Sequence, residues 1–149
     1  MLPSGRRLAI DYGAVRVGTA ISDSSGIIAS PFETFSAGDA LSQVPKVISD
    51  FEISVVYVGL PLHLSGAESD SSIKAREFAT QLRGSCPAEI EIRLLDERLS
   101  TKAAMDKSIL GSGKVDRERI DQLAAVVILE HALQIEKSSQ NLAGHEISS

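Results

Sequence analysis

A single cysteine, Cys86, among 149 residues leaves no partner for an intramolecular disulfide and no basis for a thiolate-rich zinc site. The three histidines, His63, His131 and His145, are isolated, and none sits at zinc-ligand spacing from another ligand type. His131 reads as a packed or rim residue rather than a catalytic base. No apolar run approaches the length of a membrane span. The start does not have the form of a signal peptide, because Met1 to Arg7 passes at once into a strand-like run holding a charge. The expected compartment is therefore the cytosol, with no membrane partner. Repeats are lacking, and so is the Ser-His-Asp or Cys-His pattern of nucleophilic catalysis. Gly111-Ser112-Gly113-Lys114 fails as a phosphate loop. Ser108 stands where the upstream glycine is required, Val115 replaces the Ser or Thr after the lysine, and no strand precedes it. The segment reads as a flexible basic connector.

What is present suits one well-packed domain. Apolar residues make up 43% of the chain, enough for a real core. Residues 1–137 are expected to form the domain, and the polar stretch 138–149 a flexible tail. The net charge of −5 argues mildly against a nucleic-acid partner, but it is unevenly spread. Residues 1–16 and 93–119 are each net +2, whereas residues 17–92 hold −6. A site handling a polyanion, with an acidic surface elsewhere, fits this distribution, and so does ordinary fluctuation of surface charge.

Three short strands open the chain: Arg7 to Tyr12, Val15 to Ser22, and Ile27 to Ser30 closed by Pro31. Short turns between them predict an antiparallel meander. Leu41, Val44, Val47, Ile48 and Phe51 share one helical face, with Pro45 marking a start or a kink. Ser54 to Gly59 is a continuous apolar run, the mark of a central strand buried on both faces. A more polar helix follows over Asp70 to Arg83, then an alternating strand over Glu89 to Leu95. Ser100 can cap a short helix, and Asp116 can cap a last one over Arg117 to Lys137. The order β-β-β-α-β-α-β-α predicts an α/β domain with a mixed five-stranded sheet flanked by helices.

Three acidic motifs fall on these rigid elements. Asp11 lies in the first strand just before Tyr12-Gly13, and Gly13 and Gly18 allow a ligand to approach the backbone. The alternative for Asp11 is a turn residue or a pair with Arg16. Asp96-Glu97-Arg98 ends the fifth strand, with Ser100, Thr101 and Lys102 beside it as groups suited to phosphate. The alternative there is an internally paired charge cluster. Asp121 shares a helical stripe with Ala124, Ala125, Ile128, Ala132 and Ile135, the side expected to pack on the sheet. The alternative is exposure at the rim of that stripe. A buried carboxylate is costly unless it is paired or binds a cation. Hard cations such as Mg²⁺ or Mn²⁺ prefer carboxylate and water oxygens. Two such ions held by several carboxylates can activate a water and stabilise the leaving oxygen of a phosphodiester.

Leu8-Ala-Ile-Asp-Tyr-Gly13 with Arg16-Val-Gly18, Val58-Gly-Leu-Pro-Leu62 with Ser65-Gly66, Leu95-Asp-Glu-Arg-Leu-Ser-Thr101 and Ile120-Asp-Gln-Leu-Ala-Ala125 closely resemble the YqgF/RuvX family. The resemblance runs in collinear order over residues 6–135. Its members are bacterial relatives of the RuvC Holliday-junction resolvases. The resemblance implies an RNase H-like fold and a cytoplasmic nuclease dependent on Mg²⁺ or Mn²⁺, with two ions when substrate is bound. It further implies processing of the 5′ end of pre-16S rRNA. Asp11, Glu97 and Asp121 become the catalytic triad and metal ligands, with Asp96 as a further metal ligand. Arg16, Arg98, Thr101, Lys102 and Lys114 become the contacts to nucleic acid.

Two departures stand out: His63 and Leu64 in a loop more polar in relatives, and Pro45 in the first helix. Many RNase H-like nucleases also carry their second carboxylate at the end of the fourth strand. Here that strand ends Gly59-Leu60-Pro61, so the role shifts to Asp96-Glu97. Two rivals remain. A Holliday-junction DNA endonuclease would need a symmetric homodimer, whereas the RNA reading allows a monomer. A non-catalytic RNA-binding ribosome assembly factor would keep the fold without the activity.

Overall fold

Alternating apolar residues make Arg6–Tyr12 (β1) and Arg16–Ser22 (β2) an antiparallel hairpin, with Leu8 opposite Ile21 and Asp11 opposite Gly18. The computed structural model of the protein describes residues 2–98 and 117–147. Ala29–Ser36 (β3) pairs antiparallel with β2 and does not stop at Pro31, as the sequence suggested. Proline is tolerated because β3 lies at the edge of the sheet. The register slips by one residue between Gly18 and Ala20. There the buried Thr19 hydroxyl donates to the Glu33 carbonyl at 2.6 Å and accepts from its N–H at 3.0 Å, replacing the lost ladder bonds.

Ser36 caps Ala37–Asp50 (α1), its hydroxyl accepting from the Asp39 N–H. Pro45 lies well inside α1 rather than at its start. The helix persists because Ala40, Val44, Val47 and Ile48 are buried against the sheet, and tertiary packing outweighs the lost backbone bond. Ile53–Leu60 (β4) pairs parallel with β1, and Glu91–Asp96 (β5) pairs parallel with β4. Between them, Asp70–Ser85 (α2) begins in a Ser69–Ser72 capping box. Arg117–Ser139 (α3) is the longest helix among the described residues. His145–Glu146 (β6) then adds a short antiparallel strand to β5.

Among the described residues the sheet thus has six strands in the order β3-β2-β1-β4-β5-β6, one more than expected. The expected loose tail is ordered as far as Ile147. Ala143 is buried, and its N–H bonds the Tyr57 hydroxyl at 3.1 Å. Leu142 and Ile147 pack against the two cores beside it, and the short β6 pairing adds backbone bonds to this apolar anchoring. Strand alternation divides the core in two. Leu8, Ile10, Val56, Val58 and Ile92 face α1 and α2, while Ala9, Ala20, Val55, Tyr57 and Leu95 face α3. No described helix is long and apolar enough to cross a membrane.

Candidate active site

Alternation carries Asp11 to the same face as Ala9, the side covered by α3. Its neighbour on β2 is Gly18. On the other side, the Ile10–Val58 register brings β4 alongside, and Gly59 follows Val58. One row of the sheet therefore reads Gly18-Asp11-Gly59, a carboxylate between two residues without side chains.

The empty places over the glycines are filled from elsewhere. A Cβ on Gly59 would stand 2.9 Å from Glu97 Cδ and 3.0 Å from its Oε2. Glu97, directly after β5, thus reaches over the end of β4, and it is 9% exposed. A Cβ on Gly18 would stand 2.8 Å from Asp121 Cβ and closer still to the Asp121 carbonyl. The close approach at Gly18 is thus made by the backbone of α3, not by a ligand as the sequence suggested. Ala124, Ala125 and Ala132 on the buried stripe of α3 permit that approach. Thr34 Oγ1 donates to the Glu118 carbonyl at 2.9 Å and tethers the start of α3 to β3.

The neighbouring arginines hold two of the acids. Arg16 Nε donates to Asp121 Oδ2 at 2.8 Å. Arg16, offered by the sequence as a structural partner of Asp11, thus sits on the third acid. Asp96 is occupied by Arg98. Its Oδ1 accepts the Arg98 backbone N–H at 2.9 Å and its Oδ2 the Arg98 Nε at 2.8 Å. That guanidinium holds the Asp96 carboxyl below the usual aspartate range. Arg98 Nη1 also donates to the Leu64 carbonyl at 3.4 Å, bridging the end of β5 to the loop after β4. Thr101, Lys102 and Lys114, and the Ser100 and Asp116 caps, lie outside the described residues.

A buried network at the far end of α3 was not foreseen. Glu136 accepts from Arg7 Nε and Nη2 at 3.0–3.2 Å and from the Tyr57 hydroxyl at 2.6 Å. Burial, reinforced by Glu136, raises the Tyr57 phenol well above its ordinary value. Its signal in the sequence was an acid one turn beyond Ala132 on the buried stripe. This network ties β1, β4 and α3 together and has no part in the acidic row.

The acids brought to the row are all carboxylates, the donor chemistry that suits a hard cation. Among the described residues no three His, Cys, Asp or Glu side chains are drawn closely enough together to hold an ion as they stand. Asp121 is meanwhile turned to Arg16.

The strand order, with α1 and α2 on one face and α3 on the other, defines an RNase H-like domain. The fold is similar to that of Thermus thermophilus RuvC solved in complex with a Holliday junction substrate. The TM-score is 0.58 at 15% identity, covering 96% of this chain and 99% of that one. A second T. thermophilus RuvC structure gives 0.57. Residues 5–135 match the family model "RuvX: Holliday junction resolvase". The chain belongs to this family of nucleases. It is 42% identical over 147 residues to a Clavibacter sepedonicus protein named "Putative pre-16S rRNA nuclease", covering 94% of this chain and 89% of that one. A Streptomyces avermitilis protein of the same name is 38% identical over 149 residues, covering 96% and 94%.

Proposed function

We propose that this protein hydrolyses phosphodiester bonds in precursor ribosomal RNA, at the 5′ end of pre-16S rRNA, in the cytoplasm. Asp11, Glu97 and Asp121 would hold Mg²⁺ or Mn²⁺. The single observation that carries the proposal is the Gly18-Asp11-Gly59 row, with Glu97 and Asp121 closing on it from β5 and α3. Relatives about as long as this chain and bearing the pre-16S rRNA name support the choice of substrate. The proposed nuclease domain contains every acid of the row and extends past the expected end at residue 137 to take in β6.

Each residue has a distinct task in this reading. Asp11 is held by β1 at the centre of the row, where the backbone cannot drift. Glu97 supplies from β5 the carboxylate that β4 lacks, because Gly59 leaves room for it. Asp121 completes the set from a helix packed on Gly18. Bound Mg²⁺ or Mn²⁺ supplies charge neutralisation on the phosphate and a more acidic water as nucleophile. Arg16 and Arg98 stand at opposite ends of the row and bind flanking phosphates. Thr101, Lys102 and Lys114 extend that contact in the proposal. Asp96, with both oxygens on Arg98, orients that arginine rather than holding metal.

The likeness to RuvC and the family's description favour a second reading, cleavage of a four-way DNA junction by a homodimer. One experiment separates them. The protein is incubated with precursor rRNA, a single-stranded oligonucleotide and a four-way DNA junction, each with and without Mn²⁺. Cleavage of precursor rRNA alone, dependent on Mn²⁺ and lost in Asp11→Asn, is expected. Paired cuts in the junction by a dimer would support the second reading. RNA binding without cleavage of any substrate would refute both and leave an assembly factor.

A further inference from the structure

The Asp121 carboxylate has two uses that compete for the same negative charge. Its Oδ2 accepts from Arg16 Nε at 2.8 Å, in a pair whose side chains are 33% and 22% exposed. The same carboxylate is the α3 contribution to the acidic row. Its backbone cannot move to reconcile the two, because it is packed against Gly18. Only the side chain can turn. Arg16 is two residues from Gly18 on the same face of β2, at the end where β1 presents Asp11. A guanidinium and a divalent cation on one carboxylate oxygen would repel each other strongly at such separations.

We infer that Arg16 is a positioning residue that exchanges partners: it holds Asp121 in the cation-free protein, then releases it to the cation and turns to a phosphate of the nucleic acid. This rests on the reading of Asp121 as a cation ligand. The exchange has a use. Without cation, Arg16 offsets the repulsion among carboxylates gathered in one row. With substrate present, the phosphate draws Arg16 away from Asp121, so nucleic acid and cation strengthen each other's binding. Linkage makes the effect reciprocal. A purely structural Arg16–Asp121 pair has no such signature, and neither does an arginine that only touches phosphate.

The test measures Mn²⁺ affinity by titration calorimetry on the full chain without nucleic acid. RNA affinity is measured separately, in EDTA, with a precursor rRNA fragment. Arg16→Gln should bind Mn²⁺ about threefold to fivefold tighter than the native protein, the scale of a partly exposed ion pair. It should also bind RNA more weakly. Arg16→Lys keeps the charge without the side-on Nε donor, so its Mn²⁺ affinity should fall between the two. If Arg16→Gln melts far below the native protein, Arg16→Lys carries the test alone. Equal or weaker Mn²⁺ binding in the variants, while Asp121→Asn loses the ion, would overturn the exchange and leave the metal reading standing. Native protein that binds no Mn²⁺ would overturn the metal reading, and the exchange with it.

Discussion

Replacing either glycine of the acidic row by alanine adds the same methyl group, yet the two changes should fail in different ways. A Cβ at Gly18 would meet the backbone and Cβ of Asp121 at distances below 3.0 Å, which real Cβ atoms essentially never show. A backbone cannot rotate aside, so the N-terminal half of α3 would have to withdraw until ordinary contact near 3.4 Å is restored. That withdrawal would loosen Ala124, Ala125 and Ile128 from the sheet. Overpacking of this kind costs about 1–3 kcal/mol, and the upper end applies where backbone meets backbone. The intrinsic gain of alanine over glycine within a strand, about 0.5–1 kcal/mol, offsets only part of it. Gly18→Ala should therefore lose about 2 kcal/mol, or roughly 4–8 °C in Tm for a chain of this size. At Gly59 the obstacles are the Ile128 methyl and the Glu97 carboxylate, both ends of flexible side chains. Gly59→Ala should cost less than about 1 kcal/mol, since side-chain ends can move. It should still abolish most cleavage, because it evicts Glu97 from the row. Urea unfolding and cleavage of precursor rRNA, run on both variants, give the comparison. A Gly18→Ala protein with native stability, or a Gly59→Ala protein with native activity, would refute this account of the row.

Asp11→Asn should remove cleavage while leaving Tm unchanged or slightly higher, because it relieves carboxylate repulsion; calorimetry beside the cleavage assay checks both. Glu136→Ala should destabilise by about 3–5 kcal/mol, since it strands the buried Arg7 guanidinium, whereas Tyr57→Phe should cost about 1–3 kcal/mol. Urea midpoints measure both. Arg98 depresses the Asp96 carboxyl in the folded state, so its contribution is present above the ordinary value of 3.8 and is lost as pH falls through the lower folded value. The stability gap between native protein and Asp96→Asn should accordingly shrink below pH 3.8. Charge reversal at Lys102 or Lys114 should weaken RNA binding across sequences and flatten its salt dependence, measured by anisotropy over a salt series.

The legible parts of this chain are those where a side chain announces its own environment. Continuous apolar runs marked β1 and β4, and a helical stripe marked α3 with Asp121 on its packed side. The misreadings arose where backbone bonding, and not side-chain pattern alone, decides. Pro31 ended a strand on paper, but at a sheet edge β3 passes through it, with Thr19 filling the ladder. Polar residues after α3 suggested a tail, but a two-residue pairing with β5 and the scattered apolar residues Leu142, Ala143 and Ile147 dock the stretch. The acids of the site were visible as oddities in core elements. Their arrangement was not, because it depends on two absent side chains, at Gly18 and Gly59. For the carboxylate missing at the end of β4 the sequence pointed to Asp96-Glu97 without choosing between them, and in space it is Glu97 that lies over Gly59.

The two margins of the sheet also bear on how the protein behaves at high concentration. An exposed edge strand is a template on which another chain can add its own strand, the first step towards fibrils. Here one margin is β3, interrupted by Pro31 and bulged by one residue, with Glu33 exposed. The other ends in β6, which is two residues long. Among the described residues neither presents a long flat row of free N–H and C=O groups. Two copies brought together are thus denied the simplest way of joining sheets.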